Sequence, residues 1–379
     1  MKKTEIRIGL LGFGFMGKTH AFAVSNLPYF CGDLPFRASI CCVCTRSMEK
    51  SRAVAEEFGF PVAVDNEDAL INDPDIDVID ICTPNILHAD TVRRALAAGK
   101  HVYCEKPLAD NLADAETMAA LAAQNDRICN VVFNNRHLSA VRRAKSLIDE
   151  GRVGRILSFD FHYLHNSCTD PERKAGWKQT ADICGKGGVL FDLGSHILDL
   201  AVYLCGEFDS VIGKSQIAFP TRPGPDGSPW QTDAPEAFYI LATTKNGAHG
   251  TVTASKLTTG TNDNLGFTVY GTKGALKFSL MNPNYLGFYD NTVPHAPYGG
   301  DAGFTQIECV GRYDTPAGSF PSPKAAQGWL RGHVMGMYAF LQSVYDGKQA
   351  EPTFAHGAYI QRIMEAAMRS DATGKEEKV

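Results

Sequence analysis

Near the amino terminus one run restricts this chain more than any other: Gly12-Phe13-Gly14-Phe15-Met16-Gly17 stands directly after the apolar run 6–11 and opens a helix-compatible stretch. A strand that ends in Gly-x-Gly-x-x-Gly and continues as a helix is the turn of a βαβ dinucleotide-binding unit. Gly12 permits the tight turn, Gly14 lets a pyrophosphate approach the backbone, and Gly17 lets the helix pack close to the strand. The amides that start the helix, those of Phe15 and Met16 among them, then face the phosphates. The same letters also describe a strand-to-helix turn with no ligand, so the surroundings of the loop decide between the two.

Those surroundings are doubly wound. Strand-like runs over 6–11, 38–44, 62–64, 78–82, 101–104 and 128–133 alternate with helical patterns over 47–58, closed by Gly59, 86–98, closed by Gly99, and 112–124. After a further helix over 138–149 the texture changes to alternating strands over 155–165, 237–243, 248–256, 266–270 and 275–279, joined by turn signals at Asn246-Gly247 and Gly271 to Gly274. A chain of 379 residues exceeds one ordinary core. The expected fold is therefore α/β, with a Rossmann domain of doubly wound parallel sheet over 1–134 and a second α/β domain with a large, mostly antiparallel open sheet over 135–379. Residues 219–235 and 281–324 read as long loops, 330–345 and 356–370 as helices, and the charged tail as frayed.

Composition narrows the partners. A formal charge of -5 leaves no basic footprint for nucleic acid, and no Lys/Arg cluster lies beside an amphipathic stretch to suggest a membrane surface. A small molecule is the expected partner. The eleven cysteines are odd in number and irregularly spaced, as free thiols in a reducing compartment would be. Cys41 and Cys44 match Cys-x-x-Cys by letters, but positions three apart on a strand point to opposite faces. Arg7 and three glycines interrupt the would-be core of a signal peptide, and no segment is long and apolar enough to span a bilayer, so the expected location is the cytoplasm.

Three positions carry candidate chemistry. The second strand ends in Cys44-Thr45-Arg46-Ser47 instead of the Asp or Glu that would accept from the ribose of NAD. Arg46 could pair with a 2′-phosphate, with Thr45 and Ser47 donating to it, which favours NADP over NAD; in the plainer reading Arg46 is a solvated loop residue and Ser47 an N-cap. The fifth strand ends in Glu105-Lys106-Pro107, and the carboxyl ends of parallel strands line the ligand crevice. Pro107 biases Lys106 towards extended backbone. In the run Gly187 to Leu200, a helix with a 3.6-residue period places Asp192, His196 and Asp199 on one narrow face. That cluster is a metal site, a general acid/base or a structural hydrogen-bond group. Three ligands from two turns of one helix make a strained metal site, so no metal is expected.

Taken in order, these motifs resemble the glucose-fructose oxidoreductase/inositol dehydrogenase (Gfo/Idh/MocA) family over nearly the whole chain. Gly12 to Gly17 resembles its cofactor loop, Thr83-Pro84-Asn85 with His88 its segment near the nicotinamide, Glu105-Lys106-Pro107 its lysine motif, and Gly187-Gly188 with Asp192, Gly194, His196 and Asp199 its catalytic helix. The resemblance implies an NAD(P)-dependent dehydrogenase or reductase acting on a sugar, polyol or cyclitol hydroxyl. It implies too that Lys106 binds the reacting oxygen and cofactor hydroxyls, that Asp192 and His196 address substrate, and that the open sheet supports a homodimer or homotetramer. His196 suits general acid/base work, Lys106 electrostatic stabilisation of an alkoxide, and Asp199 a supporting contact behind them. Asn134 and Arg136, beyond the sixth strand, and Trp177 and Lys178, before the catalytic run, are further substrate-binding candidates, each with ordinary packing or solvated charge as the alternative. The extension over 27–36 and the long loop beyond Met281 depart from the family pattern and leave the substrate open. A redox-assisted glycosidase with a regenerated cofactor, and a noncatalytic nucleotide-binding sugar sensor, are the competing functions.

Overall fold

The computed structural model describes residues 3–294, 296–314, 316–317 and 320–379, without the side chains of Trp177 and Ile183. In chain order the first elements are β1 Thr4–Leu11, α1 Phe15–Cys31, β2 Phe36–Cys44, α2 Met48–Phe58, β3 Val62–Val64, α3 Glu67–Ile71, β4 Val78–Ile81, α4 His88–Ala97, β5 His101–Cys104, α5 Leu112–Ala123 and β6 Cys129–Val131. They continue as α6 Ser139–Asp149, β7 Ile156–Leu164, α7 Ala181–Cys184, α8 Ser195–Cys205, β8 Phe208–Gln216, β9 Thr221–Pro223, β10 Pro229–Gln231, β11 Ala237–Thr244 and β12 His249–Ser255. The last are β13 Asn264–Gly271, β14 Gly274–Ser279, β15 Tyr285–Asp290, β16 Thr305–Glu308, α9 Trp329–Asp346, α10 Phe354–Thr373 and β17 Glu377–Lys378.

The chain forms two compact units. The first takes Met1–Asn134, Tyr313–Pro323 and Leu330–Gln361, the second Asn135–Arg312, Lys324–Trp329 and Arg362–Val379. A single division after residue 134 thus misses two later segments that return to the first unit. The return of α9 has a packing reason. Val334, Met337, Phe340 and Leu341 belong to the same buried cluster as Ile8 and Leu10 of β1 and Ala23, Val24 and Leu27 of α1. Phe340 stacks on Tyr103 of β5 at 4.7 Å between ring centroids. Each such side chain contributes roughly 1.5–3 kcal/mol by leaving water.

In the first unit six strands run parallel in the order β3-β2-β1-β4-β5-β6. Strand order reverses between β1 and β4, the place where doubly wound sheets open a crevice at their carboxyl ends. α2 shows why its ends fall where they do: the Ser47 side chain caps its start by accepting from the Lys50 N–H, and Gly59 closes it in the left-handed conformation.

The second unit holds a nine-stranded sheet in the order β16-β15-β14-β13-β7-β12-β11-β8-β17. Only β7 and β12 pair in parallel; the other neighbours are antiparallel. Four differences from the sequence reading stand out. The expected loops contain the β9/β10 hairpin and β15/β16. β8 and the short helix α3 go beyond the sequence reading. The tail is not frayed, since β17 pairs with β8 and Lys378 Nζ lies 2.6 Å from Asp209. Finally, Leu190–Gly194 winds as a π-helical turn before α8 begins, so the 3.6-residue period does not run through Asp192 and the single narrow face is lost.

Candidate active site

In the first unit the glycine loop is shaped for a ligand and not merely for a turn. Gly12 has φ +91°, and a Cβ there would lie 2.7 Å from the Cys82 carbonyl oxygen. A Cβ on Gly17 would lie 2.3 Å from the Gly12 carbonyl oxygen, so both must be glycine for β1, β4 and α1 to meet. Gly14 differs, because a Cβ there would meet nothing within 4 Å. Its lack of a side chain serves open space, the approach that a pyrophosphate needs. α1 begins after Gly14 with no side-chain cap and no acidic residue in its first turn, so its positive dipole end meets no carboxylate of its own. Phe15 is exposed and Met16 half-buried at this start. Opposite, the Thr83 hydroxyl is buried without a hydrogen-bond partner, a polar atom suited to a dinucleotide. These residues fit a nicotinamide dinucleotide.

At the end of β2 the three residues divide. Thr45 is buried, its backbone N–H and its hydroxyl both meet the Ser51 hydroxyl at 2.9 Å, and the Thr45 hydroxyl lies 3.2 Å from the Ser47 carbonyl. Ser47 caps α2. Both hydroxyls serve the turn, and Arg46 between them is exposed to solvent.

The segment after β4 places Asn85 in the interior, and Pro84 is the residue before a short 3-10 turn. His88 is buried with Nδ1 3.1 Å from the Leu108 carbonyl and Nε2 3.0 Å from the Thr83 carbonyl. Burial lowers its pKa. The ring thus holds the Thr83 segment in place; these two contacts are with the backbone. Glu105 is likewise turned inward: one carboxylate oxygen lies 3.1 Å from His20 Nε2 and the other accepts the Lys106 backbone N–H at 3.1 Å. Lys106 itself is half-buried and precedes Pro107 through a cis peptide.

In the second unit Asp192 and His196 have separate surroundings. Asp192 Oδ2 lies 2.7 Å from Lys178 Nζ and 2.9 Å from Lys256 Nζ, and the Lys256 side chain is only 6% exposed. Lys256 is anchored by its backbone, which donates to the Glu236 carbonyl and accepts from the Cys168 N–H. Glu236 is held in turn by buried Arg222 at 2.6 Å. His196 Nδ1 lies 3.4 Å from the Asn135 amide, and its ring meets the edge of Tyr163 at 5.9 Å between centroids. Tyr163 donates its hydroxyl to Asp263 at 2.8 Å, and His165 Nε2 is 2.9 Å from the same oxygen. The hydrogen bond from His165, followed by that from Tyr163, lowers the Asp263 pKa against the opposing effect of burial.

Asp199 points elsewhere. Its two oxygens accept from Arg136 Nε at 2.8 and 3.0 Å, both side chains are buried, and the guanidinium lies 4.7 Å over the Tyr203 ring. That arrangement ties Arg136 to α8. Asn134 is buried. Trp177 falls in a 3-10 turn with Lys178, and its side chain lies outside the described residues. Asp192 thus faces two ammoniums and Asp199 a guanidinium.

Two residues of this site escaped the sequence reading, and both carry a signal. Lys256 continues the alternating inward set Gly250, Val252 and Ala254 of β12, so the strand period aims it at the interior. Asn135 stands between two residues that were singled out, but nothing in the letters ranks it above them.

Residues 6–133 match the model of an oxidoreductase family with an NAD-binding Rossmann fold, and residues 141–277 match the GFO/IDH/MocA C-terminal domain. Levoglucosan dehydrogenase of Pseudarthrobacter phenanthrenivorans is 32% identical over 97% of this chain and 96% of its own length. A levoglucosan dehydrogenase structure in complex with NADH and levoglucosan superimposes with a TM-score of 0.94 at 31% identity, covering 99% of this chain and 100% of that one. An oxidoreductase domain protein from Kribbella flavida gives 0.94 at 32% identity, with 99% of each chain covered. With a matching parallel sheet, glycine loop and mixed second sheet behind these similarities, the chain belongs to the Gfo/Idh/MocA family of oxidoreductases.

Proposed function

We propose that this enzyme interconverts a hydroxyl and a carbonyl on a sugar, polyol or cyclitol, with His196 as general acid/base and Lys106 polarising the reacting oxygen. The observation that carries this reading is the contrast between Asp192 and His196. Asp192 faces two ammonium groups, an arrangement for accepting hydrogen bonds from hydroxyls, while His196 is steadied at Nδ1 by an amide and along one edge by Tyr163.

Nicotinamide, when bound, supplies hydride acceptance and donation. Everything else belongs to the chain. Loss of hydride from an alcohol carbon leaves a hydroxyl proton to be removed, and imidazole, with an ordinary pKa of about 6.5, is the side chain closest to working pH. His196 takes up that proton in oxidation and returns it in reduction. The Lys106 ammonium stabilises the charge that grows on oxygen, without forming a covalent bond. Asp192, with Lys178 and Lys256, orients a neighbouring hydroxyl by presenting acceptor and donors together. The glycine loop Gly12 to Gly17 and the Thr83-Pro84-Asn85 segment cradle the dinucleotide. A panel of levoglucosan, myo-inositol, aldoses and polyols, offered with NAD and NADP and followed by the absorbance of reduced cofactor, tests the reading. Turnover with at least one member is expected. Cofactor binding with no redox turnover on any member would turn the chain into a sensor, and glycoside cleavage without net reduction would turn it into a glycosidase.

The adenosine end supports NADP over NAD, because Arg46 stands exposed at a β2 end that brings no carboxylate of its own. Thr45 and Ser47 give little help, so the preference rests on one guanidinium. Arg46→Ala is expected to weaken NADP by on the order of 10- to 100-fold, in line with about 1.5–3 kcal/mol for a charged hydrogen bond, and to change NAD by much less. Titration of both cofactors checks this; equal losses would remove the preference.

The expected homo-oligomer finds support in the nine-stranded sheet. Leu241 of β11 stands exposed opposite Ile212 of β8, also exposed, with Tyr239, Leu157 and Tyr270 exposed on the same sheet. Leu241→Arg is expected to shift the native mass measured by light scattering towards monomer. A monomeric parent protein would dismiss this surface as an interface.

A further inference from the structure

Deep in the first unit lies a group of ionisable side chains that the reaction does not call on directly. His20, on α1 just beyond Gly17, is 1% exposed, with Nδ1 2.8 Å from Asp80 Oδ1 and Nε2 3.1 Å from Glu105 Oε1. Asp80 is fully buried in the middle of β4, and its second oxygen has no hydrogen-bond partner. Glu105 uses its second oxygen to accept the Lys106 backbone N–H. An unbroken path of hydrogen bonds therefore runs from β4 through the helix of the glycine loop to the residue that carries the candidate catalytic amine.

We propose that His20 is a positioning residue for Lys106: by bridging Asp80 and Glu105 it fixes the carboxylate that holds the Lys106 backbone, and so fixes where the ammonium emerges. This rests on the reading of Lys106 given above. A long lysine side chain amplifies any backbone tilt, and a bare Glu105 carboxylate in this interior would have to seek another partner. The charge state of the bridge follows from its neighbours. Burial acts most strongly and lowers the imidazole pKa, but the Asp80 charge together with Cys82 and the hydrogen bonds to both hold it well above the ordinary value. The groups facing the ring are Asp80 and Cys82 at the end of β4, Tyr103 and Glu105 at the end of β5, and His333 of α9. Burial pushes the Cys82 thiol up to about 12.

The test is a double-mutant cycle on the full chain. His20→Gln is expected to lower kcat on the order of 10- to 100-fold, the scale of a roughly 1 Å misplacement, while the Kd for the nicotinamide cofactor changes by no more than about threefold. In a Lys106→Met background the same substitution is expected to lose most of that effect, because residues acting as a unit are not additive. If Lys106→Met costs nothing, the reading of Lys106 falls; if it costs activity and His20→Gln simply adds to it, the positioning role falls. Should His20→Gln fail to fold, Asp80→Asn keeps the shape and removes the charge that sustains the imidazolium. The alkaline limb of kcat is then expected to move to lower pH by about one unit or more, and an unmoved limb overturns the proposal.

Discussion

His196→Asn lowers kcat by on the order of 10²- to 10⁴-fold, the usual contribution of a positioned acid/base, and leaves the cofactor Kd essentially unchanged. The two candidate residues of the second unit differ in their surroundings. Asp192 already meets Lys178 and Lys256, so the negative charge it offers is stabilised and poorly placed to carry a proton to and from substrate. An imidazole, with an ordinary pKa of about 6.5, exchanges a proton readily near neutral pH. Asparagine keeps a hydrogen-bonding group of similar reach, and the Asn135 amide can still find a partner in it, which separates loss of proton transfer from loss of packing. Steady-state rates by reduced-cofactor absorbance and cofactor binding by calorimetry give the two numbers. A variant retaining full kcat would remove His196 as the base, and a variant losing kcat and cofactor affinity together would make it a structural residue.

How much of this site could be read beforehand depended on whether a local period or a long-range partner places the residue. The glycine loop was legible because its constraints are local: Gly12 and Gly17 are forced by backbone atoms a few residues away or on the adjoining strand, and Gly14 by the space beside it. Lys106 was legible for the same reason, as a residue at the end of a buried strand. Asp199 was read as a supporting residue, but its pairing with Arg136 could not be read, since no period links residues 63 apart. The face shared by Asp192, His196 and Asp199 failed at one local point, the π turn, which the letters do not announce. The sequence did hold an unread clue to the His20 bridge. Asp80 interrupts the apolar run Val78-Ile79-Asp80-Ile81, all four of them buried, and a charge in such a strand must have a partner. Similarly, Phe159, Phe161 and Tyr163 alternate inward along β7, and the last of them ends beside His196.

Lys106→Met lowers kcat by on the order of 10²- to 10³-fold, as the loss of one oxyanion-stabilising donor does, with a smaller effect on substrate KM. Methionine keeps the aliphatic stem and removes the charge, so the half-buried packing of the position survives while the developing alkoxide loses its counter-charge. The distinction from a plain binding role lies in which constant moves: a lysine that held cofactor or substrate equally in ground and transition states would raise KM and spare kcat. Initial rates across substrate and cofactor concentrations separate the two, and a change confined to KM would sink the electrostatic role. In the proposed reaction proton removal by His196 and charge stabilisation by Lys106 serve one substrate oxygen, so each would be useful only while the other works. The variant carrying both Lys106→Met and His196→Asn is therefore expected to be little slower than the slower single variant. Fully multiplicative losses would mean that the two residues serve different steps.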